Sequence, residues 1–231
     1  MKPASPGTES RLKTAWRDNA LSIVVLLLFA SMVVAQVHFG RAAYNEERLQ
    51  DGLARLGLGS YLQSGHFIEA LFENWESEFL QMGAFILIAV KLRQKGSTES
   101  KPIDEPFEGD EDPRKERGNP EAPWPVRKGG LWLALYEHSL SLTFGLLFSI
   151  SLAMHAVGGC MLDNEQRLAH GRPAQSVLEF AGSSQFWFES FQNWQSEFLA
   201  IASVVIFTIF LRERGSPQSK PVAAPHSETG A

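Results

Sequence analysis

The chain has 231 residues, 44% of them hydrophobic, a formal net charge of −5 and a mean hydropathy of −0.11. With this mild acidity there is no basic stripe to neutralise phosphates, which excludes nucleic acid as a partner. The single cysteine, Cys160, excludes an internal disulfide framework and a cysteine-based zinc site, and reads as a small apolar residue at a helix end.

The averages resemble those of a soluble protein, but the apolar residues fall in blocks separated by strongly polar stretches. The pattern predicts an all-α fold: a four-helix transmembrane bundle built from two tandem, parallel two-helix repeats. In chain order, residues 1–15 read as a disordered cytoplasmic tail. A first repeat follows over 16–102, with spans at about 20–39 and 72–92. Ala20 to Phe39 carries no charge and is about long enough to cross a bilayer core. A basic start followed by Val33, Val34 and Ala35 also suits a cleaved signal peptide. The apolar block runs on to Phe39 and has an internal counterpart, so it reads as a span. Phe79 to Leu92 is shorter, but Phe72, Trp75 and Phe79 lie at helical spacing upstream and extend it, with Trp75 at the membrane interface.

Residues 103–128, rich in proline, glycine and mixed charge, read as a disordered cytoplasmic linker. The second repeat, 129–221, carries spans at about 137–160 and 191–211, the latter led by Phe191, Trp194 and Phe198. Residues 222–231 read as a disordered tail. Short or amphipathic outer segments are expected at Arg41 to Gly65 and Gly159 to Gly182.

The two halves align without a gap at an offset of 119 positions. Asn45-Glu46 falls on Asn164-Glu165, Arg48-Leu49 on Arg167-Leu168, and Gly52 on Gly171. Asn74-Trp75 falls on Asn193-Trp194, Ser77-Glu78-Phe79-Leu80 on Ser196-Glu197-Phe198-Leu199, and Ser100-Lys101-Pro102 on Ser219-Lys220-Pro221. Shared hydrophobicity does not produce a match at polar and tryptophan positions. Two spans per unit, an even number, imply parallel repeats about a pseudo-two-fold axis along the membrane normal. Sixteen of the 21 basic residues lie in the two tails and the central stretch, and five in the two interhelix loops. Both termini and the linker are therefore expected in the cytoplasm.

Asn74, Ser77 and Glu78 share one helix face, extended by Gln81, and Phe72, Trp75 and Phe79 share the opposite one. The second copy repeats both stripes with Asn193, Ser196 and Glu197 against Phe191, Trp194 and Phe198. The expectation is a polar stripe turned into the bundle, with Trp75 and Trp194 as interfacial aromatics. Glu78 and Glu197 then either carry a proton or bind a cation, or act as hydrated packing glue between helices. His66, Glu69 and Glu73 also share a face. The second copy has Gln185, Phe188 and Gln192 there, so no symmetric site forms and no metal is expected. His38 and His155 read as interfacial polar residues. Ser141, Gly145, Ser149 and Ala153, each four apart, read as a close helix-packing face.

Several stretches resemble a known family: YNEERLQDG at 44–52, YLQSGHFIEALFENWESEFLQM at 61–82 and KLRQKGSTESKP at 91–102, with echoes at 192–205 and 211–221. They are similar to a family of uncharacterised bacterial integral membrane proteins, a domain of unknown function with a duplicated two-helix unit. The specific part is the ENWESEFLQM-type motif. The resemblance implies a multi-pass protein of the bacterial inner membrane and supplies no catalytic residues. Gln192 and Gln195 stand in the second copy where the first has Glu73 and Glu76.

No nucleophile–base pair, Walker A, dinucleotide fingerprint or HExxH occurs, so an enzyme and a cofactor are not expected. The partners expected are the lipid bilayer and either further copies of the chain or other membrane proteins. Function is expected to be a small-solute, ion or proton pathway. The alternative is a non-transporting structural or stress-related envelope protein that binds other membrane proteins.

Overall fold

The computed structural model describes residues 8–230, with side chains from Lys13 onward. Those residues are all-α, with no strand. Of the tail expected at 1–15, residues 1–7 lie outside the described residues, and the chain is already helical from Thr8. Three helices are long and apolar enough to cross a membrane: Lys13–Gln50 within the first helix, Ser139–Ala169 and Ser184–Phe210. That is the signature of a membrane protein.

The chain divides into two compact units, Met1–Phe67 and Ile68–Ala231. In the first, helix α1 (Thr8–Gln50) runs for 43 residues. It ends at Gly52, whose φ of 73° is a left-handed turn that glycine adopts at little cost. There the Leu53 N–H donates to the Arg48 carbonyl at 2.7 Å. Asn45 then clips the returning loop: its amide donates to the Leu56 carbonyl at 3.1 Å, and its oxygen accepts the Leu56 N–H at 2.7 Å. Helix α2 (Leu58–Tyr61) seats the buried Tyr61 beside Gly40, where a larger residue would not fit.

Helix α3 (Gly65–Lys91) begins in the first unit and supplies one wall of the second. The others come from α6 (Ser139–Ala169) and α8 (Ser184–Phe210). Short helices α4 (Trp124–Lys128), α5 (Gly130–Glu137) and α7 (Val177–Ala181) complete the set. Within the second unit the three long helices meet pairwise. The rings of Phe79 and Phe144 lie 6.3 Å apart, and those of Phe148 and Trp194 6.0 Å apart. The Gln81 amide crosses from α3 to the backbone carbonyl of Glu197 on α8, at 3.1 Å. Gly158 allows the closest approach, because a Cβ there would meet the backbone of Glu69. Beside it Ala156, Cys160, Phe180 and Phe186 form a small apolar core, with Phe180 held on α7 by a Ser176–Glu179 capping box.

Local geometry recurs along the chain at the 119-residue offset. Asn164 clips Gln175 through the same two bonds, at 2.9 and 2.8 Å, as Asn45 makes to Leu56. The Arg48 guanidinium donates to the Ala54 carbonyl and that of Arg167 to the Pro173 carbonyl, each at 2.8 Å. Helices α3 and α8 are both 27 residues long. Beyond them, the Ser100 and Ser219 hydroxyls accept the Gln94 and Glu213 N–H groups, each at 2.9 Å.

The packed face of α6 differs from the small-residue stripe. Gly145, Ser149 and Ala153 are exposed, and Ser149 bonds only its own helix, at the Gly145 carbonyl. Ser151, His155, Gly158 and Gly159 are buried instead. Flanking Phe144 and Phe148 decide this, because large apolar rings outweigh a row of small side chains in choosing the buried face. In the stretch expected as a disordered linker, 103–128, the chain forms two 3-10 turns, Glu108–Asp110 and Pro113–Gly118, before α4. Pro113 presets the second turn and Asp112 caps it by accepting the Arg114 N–H. The expected tail at 222–231 folds, over its described residues, against the loop after α3. The Gly230 N–H donates to the Ser97 carbonyl at 3.0 Å. The buried Lys220 ammonium donates to the carbonyls of Gly96, Pro225, His226 and Glu228.

Candidate functional site

Three helices converge on His155. Helix α3 carries Glu69, Glu73 and Glu76 at i, i+4 and i+7, so all three carboxylates project from one face. Helix α6 contributes His155, one turn from the glycine pair that brings α3 close. Helix α8 contributes Glu189, Ser190, Asn193 and Trp194, again one face.

The His155 and Glu76 side chains are fully buried, 0% exposed each, with Nδ1 of the imidazole 3.1 Å from Glu76 Oε2. The other Glu76 oxygen accepts the Trp194 indole N–H at 3.2 Å. On the far side of the ring, Nε2 lies 3.5 Å from Glu189 Oε2, without hydrogen-bond geometry. Neither atom has a hydrogen-bond partner among the described residues, and both are buried. The Asn193 amide donates to Glu73, and that of Gln185 to the second oxygen of Glu189. Phe186 covers the imidazole with ring centroids 4.7 Å apart. Glu69, His155 and Glu189 present one ligand atom each, all within 4.8 Å of one another.

Carboxylates gathered out of water around one imidazole are expensive unless a proton or cation is shared among them. The site can therefore hold positive charge. Its donors, Trp194, Asn193 and Gln185, fix where Glu76, Glu73 and Glu189 point.

Of the residues expected from the sequence, Asn193 and Trp194 belong to this site. Trp194 faces inward onto Glu76, whereas the sequence places it at an outer interface. Trp75 is half-buried against Phe72 at 5.3 Å. Ser77 is buried, with its hydroxyl on the Asn74 carbonyl at 2.7 Å. Asn74 and Glu78 are exposed, Asn74 bonding back to the Ala70 carbonyl. Ser196 is exposed and bonds Asn193 on its own helix, and Glu197 is half-buried. On α3 the inward polar residues are thus Glu69, Glu73, Glu76 and Ser77, while Asn74 and Glu78 face outward. The physical reason is that Phe79 and Gly83 turn toward α6 and carry the neighbouring acids with them. His155, read as interfacial, is the centre of the site. Its position inside an otherwise uncharged span was the available signal. No metal was expected because the His66, Glu69 and Glu73 face lacks a symmetric copy. Glu69 instead meets His155 and Glu189, partners from other helices.

These features define an all-α protein with three helices long and apolar enough to cross a membrane and a buried carboxylate–imidazole centre. Residues 12–231 match a domain of unknown function, DUF6766, and the chain belongs to that family. No curated protein and no solved structure is detectably similar to it.

Proposed function

We propose that the chain is a four-span protein of the bacterial inner membrane that handles protons or small cations at the His155 centre. Its two helical hairpins descend from a tandem duplication and enter the membrane in the same sense, with both termini cytoplasmic. The observation that carries the reading is a wholly buried histidine flanked by Glu76 and Glu189 from two other helices. Ionisable groups inside membrane helices are costly and mark ion paths and proton relays. Helix α3 has the length of α8, and its glutamates face the centre, so it serves as the remaining span despite its acids. The chemistry needed is exchange of a cation, with no bond made to carbon or phosphorus, so the protein works without enzymatic turnover.

Reconstitution into liposomes under a pH or cation gradient tests this. Flux that His155→Gln abolishes at equal protein incorporation supports it. Absent flux, or flux that His155→Gln leaves intact, overturns it and favours an envelope protein that works by binding other membrane proteins.

A further inference from the structure

The arrangement around His155 also says what kind of cation fits. Glu76, held from behind by the Trp194 indole, faces Nδ1 at 3.1 Å. In the neutral ring, a carboxylate in that place holds the proton on Nδ1, and the lone pair is then on Nε2. Nε2 then looks across 3.5 Å at a Glu189 oxygen, and both atoms are buried without a hydrogen-bond partner among the described residues. In that state two lone-pair atoms face each other out of water, and a cation between them relieves the repulsion. The third member, Glu69, brings its carboxylate within 4.8 Å of both.

Three ligand atoms bound at about 2.0–2.2 Å to one ion stand about 3.3–3.8 Å apart; Nε2 and the Glu189 oxygen, at 3.5 Å, already meet that spacing, and Glu69 reaches it by closing about 1 Å or less from within 4.8 Å. One neutral imidazole and two carboxylates balance the charge of a dication. An imidazole nitrogen with carboxylate oxygens suits first-row transition ions, whereas calcium and magnesium take oxygen alone. Gly158 and Gly159 keep the space open, since a side chain on Gly159 would press on the Glu69 carboxylate.

We propose that Glu69, His155 and Glu189 bind one divalent first-row transition-metal ion of the Mn2+, Fe2+ or Zn2+ type, with Glu76 and Trp194 orienting the imidazole. This rests on reading the centre as a cation site and names its occupant. Three helices supply one ligand each, so binding also ties α3, α6 and α8 together.

The test uses the full chain purified in detergent, stripped with chelator and reloaded with Zn2+ or Mn2+ alone. One ion per chain is expected by elemental analysis. Glu69→Gln and Glu189→Gln should each weaken binding by about tenfold or more, and Glu76→Gln by about 10–100-fold through the orienting bond. Electron paramagnetic resonance of the Mn2+-loaded wild type should show coupling to one imidazole nitrogen, a readout that needs no variant to fold. No retained ion, no nitrogen coupling, or affinity unchanged in both Gln variants would overturn the proposal. Flux in liposomes without any bound metal would leave the proton reading standing while this inference fails. A bound ion without flux would do the reverse.

Discussion

His155 on α6 and Glu76 on α3 are each fully buried and meet at 3.1 Å, a bond between side chains 79 positions apart in sequence. It joins two helices through a contact that neither side chain can exchange for water, because both are shut off from solvent. Glu76 also takes the Trp194 indole, so a single carboxylate connects α3 to both α6 and α8.

Glu76→Leu should therefore destabilise the protein by about 1–3 kcal/mol, since it strands the buried imidazole and indole donors together. Glu76→Gln keeps an acceptor for Trp194 and should cost less. Glu78→Gln, at an exposed position on the same helix, should leave stability and flux unchanged. Unfolding in mixed micelles with increasing denaturing detergent measures all three.

Helix approach at Gly158 gives a second contrast. Gly158→Ala drives a methyl into the Glu69 backbone and should cost about 1–3 kcal/mol while loosening the site. Gly145→Ala meets nothing within 4 Å and should be neutral or slightly stabilising, since alanine is the better helix former. Equal effects from the two would contradict the packing face assigned to α6.

The Lys220 ammonium satisfies four backbone carbonyls at the end of the chain. Lys220→Met removes the donor and should expose the segment around His226 to limited proteolysis and faster hydrogen exchange. Lys101, at the equivalent position 119 residues earlier, pairs with the exposed Asp110 instead. Its replacement by Met removes one half-exposed ion pair and keeps the apolar stem against Phe107, so it should change less than Lys220→Met does.

The all-α class, the long apolar helices and several turns are legible in the sequence, and the reason is local. Asn45 and Asn164 clip their loops, Gly52 and Gly171 turn the chain, and Ser100 and Ser219 cap the loops after α3 and α8 through bonds made within a dozen residues. A matched register exposes such signals directly. The centre is not legible by the same criterion, because its histidine and glutamates sit where the two halves differ, and only Asn193 and Trp194 among its hydrogen-bonding members are matched. In the 119-residue register His155 falls on Gln36, Glu189 on Ala70, Glu69 on Phe188 and Glu76 on Gln195. Asn74 and Glu78, shared by both halves, are exposed on α3, whereas their neighbour Ser77 is buried and the shared Asn193 and Trp194 on α8 reach across to α3. The centre needs three helices at once, and only their packing brings its parts together.

Topology gives a further prediction. Fusions of a phosphatase active only in the periplasm should be active after Gly57 and after Arg172, and inactive after Gly118 or Gly230. Activity at Gly118 would contradict four spans with cytoplasmic ends.

The central claim is that His155 and Glu76 act on each other across two helices, and a double-mutant cycle on stability tests it most directly. Glu76→Gln, His155→Gln and the double variant should show a coupling of about 0.5–3 kcal/mol, the range for contacting polar residues. A coupling indistinguishable from zero, with all three variants folded, would mean that the two side chains do not meet and that the centre is not assembled as described.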